Sequence, residues 1–293
     1  MQYGIRTEYW GEDWERDIEF YCKKARALGF DFVEIDSRRL LHMDATRLGQ
    51  IRFLQKDIGV QIIGSIGLAQ YNDISSTSST IRKNGINYMR QSIYAAHRAD
   101  IRILSGVIYS SWFYNISQAI SKQESFAHSV TSMREIAEYA GCFGVKLMVE
   151  PVNRFATYLL NTAQEAKGYV QAVGKSNVTI NLDTFHINIE EPSFYDAIVT
   201  AGQNLGLFHV CENNRQLPGQ GHIPWAQVGQ ALSAIAYNGP IVIESFVRPS
   251  ERIDGNKRVW RDLKAGLSPE QLDLELSRSL TFIQSTMDVD NRG

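Results

Sequence analysis

With 293 residues, 44% of them hydrophobic and 21% charged, the chain has an ordinary globular composition and can bury a sizeable core. Its formal net charge of -2 gives no general electrostatic attraction to nucleic acid or to an anionic membrane, so neither is expected as a partner. Cys22, Cys142 and Cys211 are odd in number and scattered without C-x-x-C spacing. That argues against a disulfide framework and a structural zinc site, and for a reducing, cytoplasmic setting.

The first residues run Met1-Gln-Tyr-Gly-Ile-Arg and soon meet Glu8, Glu12 and Asp13, unlike a signal peptide with its basic start and apolar run. No stretch is long and apolar enough to span a membrane. From here strand-like and helix-like patterns alternate, and eight pairs are read. A first strand is expected over residues 3–9, followed by a helix over 14–28 that stops at Gly29. Strand two covers 32–35. The second helix runs to residue 57 from an N-cap at Asp44, and Gly59 ends it before strand three at 60–66.

A polar loop at 72–80 then offers hydroxyls to cap a helix over 81–99, which leads into strand four at 101–109. The aromatic loop Ser110-Ser-Trp-Phe-Tyr-Asn follows, where Trp112 and Phe113 either cover the loop itself or form a wall for a small ligand. A helix over 125–143 ends at Gly144. Strand five carries Glu150, and Thr162 with Glu165 has the spacing of a capping box. Strand six carries Asp183, strand seven His209 and strand eight Glu244. Pro192 and Pro224 open the helices before strands seven and eight, and a last helix covers 269–286.

Neither a composition break nor a low-complexity linker interrupts this order, so residues 1–293 are expected to form one domain. Four β-branched runs each end in a carboxylate or an imidazole: Glu150, Asp183, His209 and Glu244. Parallel strands closed into a barrel bring such ends round one point, whereas an open sheet gathers its site at one switch point. The expected fold is therefore α/β, a single (β/α)8 TIM barrel. Three oxygens and one nitrogen suit a hard or borderline divalent cation. No G-x-G-x-x-G or P-loop pattern follows a strand, which leaves a nucleotide cofactor without support.

Other residues near these ends suit a small polar ligand. His186 is read as a partner of a metal ligand, as a donor to substrate or as a plain strand-end histidine. Arg215 is read as a substrate contact or as a salt-bridge partner of Glu212 or Glu190. Pro218-Gly-Gln-Gly-His-Ile-Pro-Trp is a turn-rich, lid-like segment in which His222 is a loop residue.

Val149-Glu-Pro-Val-Asn-Arg-Phe, Asn181-Leu-Asp-Thr-Phe-His-Ile-Asn-Ile-Glu-Glu, Phe208-His, Pro218-Gly-Gln-Gly-His-Ile-Pro-Trp, Ile243-Glu-Ser-Phe-Val-Arg and Val259-Trp-Arg-Asp-Leu occur in this order. Together with Ser65-Ile-Gly-Leu they resemble the ketose 3-epimerase family, which includes D-tagatose and D-psicose (D-allulose) 3-epimerases. The resemblance covers nearly the whole chain. It implies a xylose-isomerase-like TIM barrel, a divalent metal (Mn2+ first, Co2+ or Mg2+ as alternatives) and a homodimer or homotetramer acting on a ketose. It also implies that Glu150, Asp183, His209 and Glu244 are metal ligands, that Glu150 and Glu244 are catalytic, and that His186 and Arg215 hold oxygens near C1 and C2. Trp112 and Phe246 are expected in the substrate wall.

Two positions depart from the family. Ala156 stands where the family has a second glutamate beside the sugar, and Arg6 stands where relatives often carry an aromatic residue. Two other functions are weighed against epimerisation: an aldose-ketose or hydroxypyruvate-type isomerase on the same scaffold, and a catalytically silent sugar-binding protein. An endonuclease with a multi-metal cluster would need more imidazoles than six histidines in these contexts supply.

Overall fold

Short apolar runs separated by capped helices have one economical arrangement, in which each strand pairs with the next in parallel and each helix covers the outside. In the computed structural model, which describes residues 1–11, 17–112, 120–249 and 259–287, the strands do this and close. The barrel order is β1 (Gln2–Arg6), β2 (Phe32–Asp36), β3 (Gln61–Ser65), β4 (Ile103–Gly106), β5 (Lys146–Val149), β6 (Val178–Asp183), β7 (Leu205–Val210) and β8 (Pro240–Ile243), with β8 pairing back to β1. Every pair is parallel.

Among the described residues the helices are α1 (Ile18–Ala27), α2 (Ala45–Ile58), α3 (Ser79–Arg98), α4 (Lys122–Cys142), α5 (Ala163–Val173), α6 (Thr184–Glu190), α7 (Phe194–Ala201), α8 (Trp225–Ala234) and α9 (Pro269–Met287). Local chemistry explains several ends. The Asp44 side chain accepts from Arg47 N at the start of α2, and Gly59 closes that helix in the left-handed region. Thr162 and Glu165 form the expected capping box on α5.

Some boundaries differ from expectation. β1 stops at Arg6, and Thr7–Trp10 continues as a 3-10 turn. The expected start of the first helix at Trp14 lies outside the described residues; α1 is capped by Asp17, whose side chain accepts from Glu19 N. β4 is much shorter than 101–109, because Gly106 at φ 117° turns the chain where an added Cβ would meet Ile66 O at 2.4 Å. Pro224 caps α8 rather than opening its first turn.

Strand residues alternate between two environments, as the two-residue period requires. Outward side chains such as Ile5, Val33, Ile35, Leu147 and Phe208 join the large core beneath the helices. Inward ones form a separate apolar plug of Phe32, Ile63, Met148, Leu207 and Val242, with Ile103 packed against it. Two residues further along the same strands the inward positions are Glu34, Ser65, Glu150, His209, Glu244 and Ser105. The plug thus ends where the strands deliver polar groups to the C-terminal rim.

Candidate active site

Glu150, Asp183, His209 and Glu244 converge at that rim and are buried. His209 Nδ1 lies 3.7 Å from Glu150 Oε1 and 3.6 Å from Glu244 Oε2. The opposite ring nitrogen, Nε2, is 2.8 Å from Glu34 Oε2. A carboxylate can only accept, so Nε2 carries the proton and Nδ1 turns toward the other two carboxylates. Glu34 is the residue that sequence reasoning missed. The available signal was an acid in mid-strand between apolar neighbours, two residues beyond Phe32.

Arg215 completes the cluster. Its Nη1 donates to Asp183 Oδ2 at 2.6 Å and to Glu244 Oε2 at 2.9 Å. Its guanidinium also lies over the rings of Phe185 and Phe246, at 4.1 and 5.1 Å from their centroids. Neither salt bridge considered for it from sequence forms. Glu190 accepts from Arg154, while Glu212 accepts from Gly219 N, Ile223 N and Trp225 Nε1. Those bonds pin the segment read as lid-like, and its residues 218–225 take no part in lining the cavity. His222 is an exposed loop residue.

His186 is not at a strand end but inside α6, a helix the sequence reading did not anticipate. Its Nδ1 accepts from Asn153 N at 3.1 Å. That leaves Nε2, 3.6 Å from Asp183 Oδ2 and 3.9 Å from Glu150 Oε1, as the protonated nitrogen. Trp112 stands against Gly67, where any Cβ would meet the indole at 2.4 Å. Trp112, Phe246, Ala156, His186 and Arg215 all line one cavity of about 920 Å³ over Glu150 and Glu244. Phe113, the other aromatic residue considered for a wall, lies outside the described residues.

The charge balance of this rim is unusual. Buried carboxyl groups of Glu8, Glu34, Glu150, Asp183 and Glu244 face two guanidiniums, Arg6 and Arg215. The surplus of acid holds protons. Burial pushes the Asp183 carboxyl up to about 7, with Glu244 and Glu150 adding to the effect and Arg215 opposing it. Burial likewise raises Glu150, against the pull of His209. On His209 burial opposes the charge, but Glu34 and Glu244 outweigh it and hold the imidazole well above its ordinary range. Glu244 resists burial because His209, Arg215 and Arg6 keep it well below the usual carboxylate range. Burial and Arg215 keep His186 neutral.

This environment fits a divalent cation. Ligand atoms of Glu34, His209 and Glu244 lie within 4.8 Å of one another, and so do those of Glu150, Asp183 and His186. The two groups adjoin through His209 and Glu150. The Nδ1 edge of His209 faces two carboxylates beside the Asn181 amide at 3.2 Å, and a dication there would replace the protons that now offset the surplus of acid. Oxygen donors with one nitrogen do not select a single metal.

Fold and rim together define a class: a family model for the xylose isomerase-like TIM barrel matches residues 22–267. The chain is 38% identical over 282 residues to D-psicose 3-epimerase of Ruminiclostridium cellulolyticum, covering 96% of both proteins. It is 31% identical over 269 residues to L-ribulose 3-epimerase of a Methylomonas species, covering 90% of this chain and 91% of the relative. The crystal structure of D-psicose 3-epimerase with D-tagatose from Clostridium cellulolyticum H10 superposes with a TM-score of 0.94 at 37% identity, over 98% of this chain and 99% of that one. The chain belongs to the ketose 3-epimerase family of xylose isomerase-like TIM barrels.

Proposed function

We propose that this protein epimerises free ketoses at C3, interconverting sugars of the D-fructose/D-psicose, D-tagatose and ribulose type, with Glu150 and Glu244 as its acid and base. The observation that carries the reading is the convergence of these two carboxyl groups on one imidazole nitrogen, at 3.7 and 3.6 Å, on the floor of the cavity. The names of the relatives, D-psicose and L-ribulose 3-epimerases, support the substrate class.

Inverting C3 requires a proton to leave one face and another to arrive on the opposite face. The electron pair released from the C3–H bond passes into the C2 carbonyl, giving an enediolate. One glutamate takes the proton and the other delivers one, and the configuration of the substrate at C3 decides which acts first. His186, through Nε2, and the Arg215 guanidinium hold the oxygens near C1 and C2. Trp112 and Phe246 form walls of the cavity. Glu150, Asp183, His209 and Glu244 would hold a divalent cation, Mn2+ before Co2+ or Mg2+; when bound it supplies positive charge to the substrate oxygens where negative charge develops. The same reading includes a homodimer or homotetramer.

A panel of ketohexoses and ketopentoses, assayed by product analysis with and without added manganese, tests the proposal. A second ketose as product, formed only with metal, is expected. An aldose product would replace epimerisation by isomerisation, and tight binding without turnover of any sugar would make the chain a sugar-binding protein.

A further inference from the structure

Arg6 is the last residue of β1, points inward and is 9% exposed. Its register partner on β2 is Glu34. One nitrogen, Nη1, donates to two carboxylates at once: Glu244 Oε1 at 2.8 Å and Glu34 Oε1 at 3.0 Å. The other side of the guanidinium is held by Glu8, with Nε donating to Oε2 at 3.1 Å and Nη2 to Oε1 at 3.3 Å. Phe246 lies beside it, 5.7 Å from Cζ to ring centroid. A planar fork with donors on both edges can make this set of contacts, and a lysine ammonium cannot reproduce it.

The consequence lies beyond Arg6. Glu34 Oε2 receives His209 Nε2, so Glu8, Arg6, Glu34 and His209 form one continuous chain of bonds, and Glu244 branches from its middle. Glu244 is held at both oxygens, by Arg6 on Oε1 and by Arg215 on Oε2. Among the described residues Glu150 has no such pair of donors: the nearest basic nitrogens are His209 Nδ1 at 3.7 Å and His186 Nε2 at 3.9 Å. The two glutamates of the site therefore differ in how firmly they are fixed.

We propose that Arg6 is a positioning residue: its Nη1 fixes the Glu244 carboxylate directly and the His209 imidazole through Glu34, so that both face the cavity in one arrangement. This rests on the epimerase reading above. Arg6 also lines the cavity, but in this role it acts through Glu244 and His209 and not on a reacting atom. Loosening it should therefore lower turnover and weaken cation binding while leaving capture of the sugar nearly intact.

Arg6→Lys keeps the positive charge and breaks the fork. In that variant kcat is expected to fall about tenfold or more with KM within about threefold, and Mn2+ affinity measured by calorimetry without sugar should fall by about tenfold, the scale seen when partners of metal ligands are removed. If Arg6→Lys does not fold, Arg6→Ala supplied with ethylguanidine at non-denaturing concentration takes its place, and kcat is expected to recover with the added guanidinium. An unchanged kcat, an unchanged Mn2+ affinity, a rise in KM without a fall in kcat, or no recovery with ethylguanidine would each overturn the proposal. Failure of the epimerase reading looks different, because the unsubstituted protein would then form no epimeric ketose at all.

Discussion

Two layers inside the same barrel contrast sharply although they lie only two residues apart on each strand. The lower layer, Phe32, Ile63, Met148, Leu207 and Val242, is a dry plug. The upper layer, Arg6, Glu34, Glu150, His209 and Glu244 with Ser65 and Ser105, is nearly as buried yet polar throughout and mostly ionisable. The lower layer gains from leaving water, whereas the upper one can persist only through mutual pairing and, on the proposed reading, a cation. A strand that is apolar along its length and charged at its end thus builds scaffold and chemistry from one alternation.

Substitutions that separate the layers should have separate signatures. The largest effect is expected for Glu150→Gln and Glu244→Gln, each keeping the side chain's shape while removing its proton chemistry. Steady-state assays on the folded variants, below their melting range, should show kcat reduced by about 10²- to 10⁴-fold. In the plug the pattern should reverse. Leu207→Ala should cost about 2–5 kcal/mol in denaturant unfolding, and its kcat below the melting range should stay near that of the unsubstituted protein. A plug variant that behaves like a glutamate variant would erase the distinction between the layers.

Glu34→Gln probes the pairing within the upper layer, since it removes the charge that orients His209. Calorimetry should record Mn2+ binding weakened by about 10- to 100-fold. The smallest effect concerns pH. In the metal-free protein the folded-state pKa of His209 is raised, so its contribution to stability is present at lower pH and is lost as pH rises above the ordinary imidazole range. His186, with its lowered pKa, is neutral in both states above that range and adds no slope. The melting temperature in chelator should therefore decline from pH 7 to pH 9. Added Mn2+ should stabilise more at the upper end, where fewer protons compete for the ligands.

Much of this architecture was legible in the residues themselves. The barrel could be read because each strand–helix unit carries its own punctuation, such as Asp44 with Gly59 and Thr162 with Glu165. The four rim residues stood out because each terminates an apolar run. Glu34 did not, since strands covered on both faces lose the polar alternation that would tell an inward acid from an outward one. Helix α6 was hidden because Asp183 both ends β6 and caps the helix that follows, its side chain accepting from Phe185 N. Partners of Arg215 were misjudged for a different reason. Sequence proximity favoured Glu212, but the guanidinium crosses the rim to Asp183 and Glu244, and only the closed barrel brings those groups within reach.

The division of labour at the rim is tested most directly by following hydrogen at individual carbons. Each ketose would be incubated in deuterium oxide with the manganese-loaded protein, and label would be located by NMR. Deuterium at C3, appearing in step with the epimeric ketose and absent from C1, is the predicted result. Label at C2 of an aldose product, with exchange at C1 of the recovered ketose, or no label at C3 from any ketose that the protein converts, would contradict it.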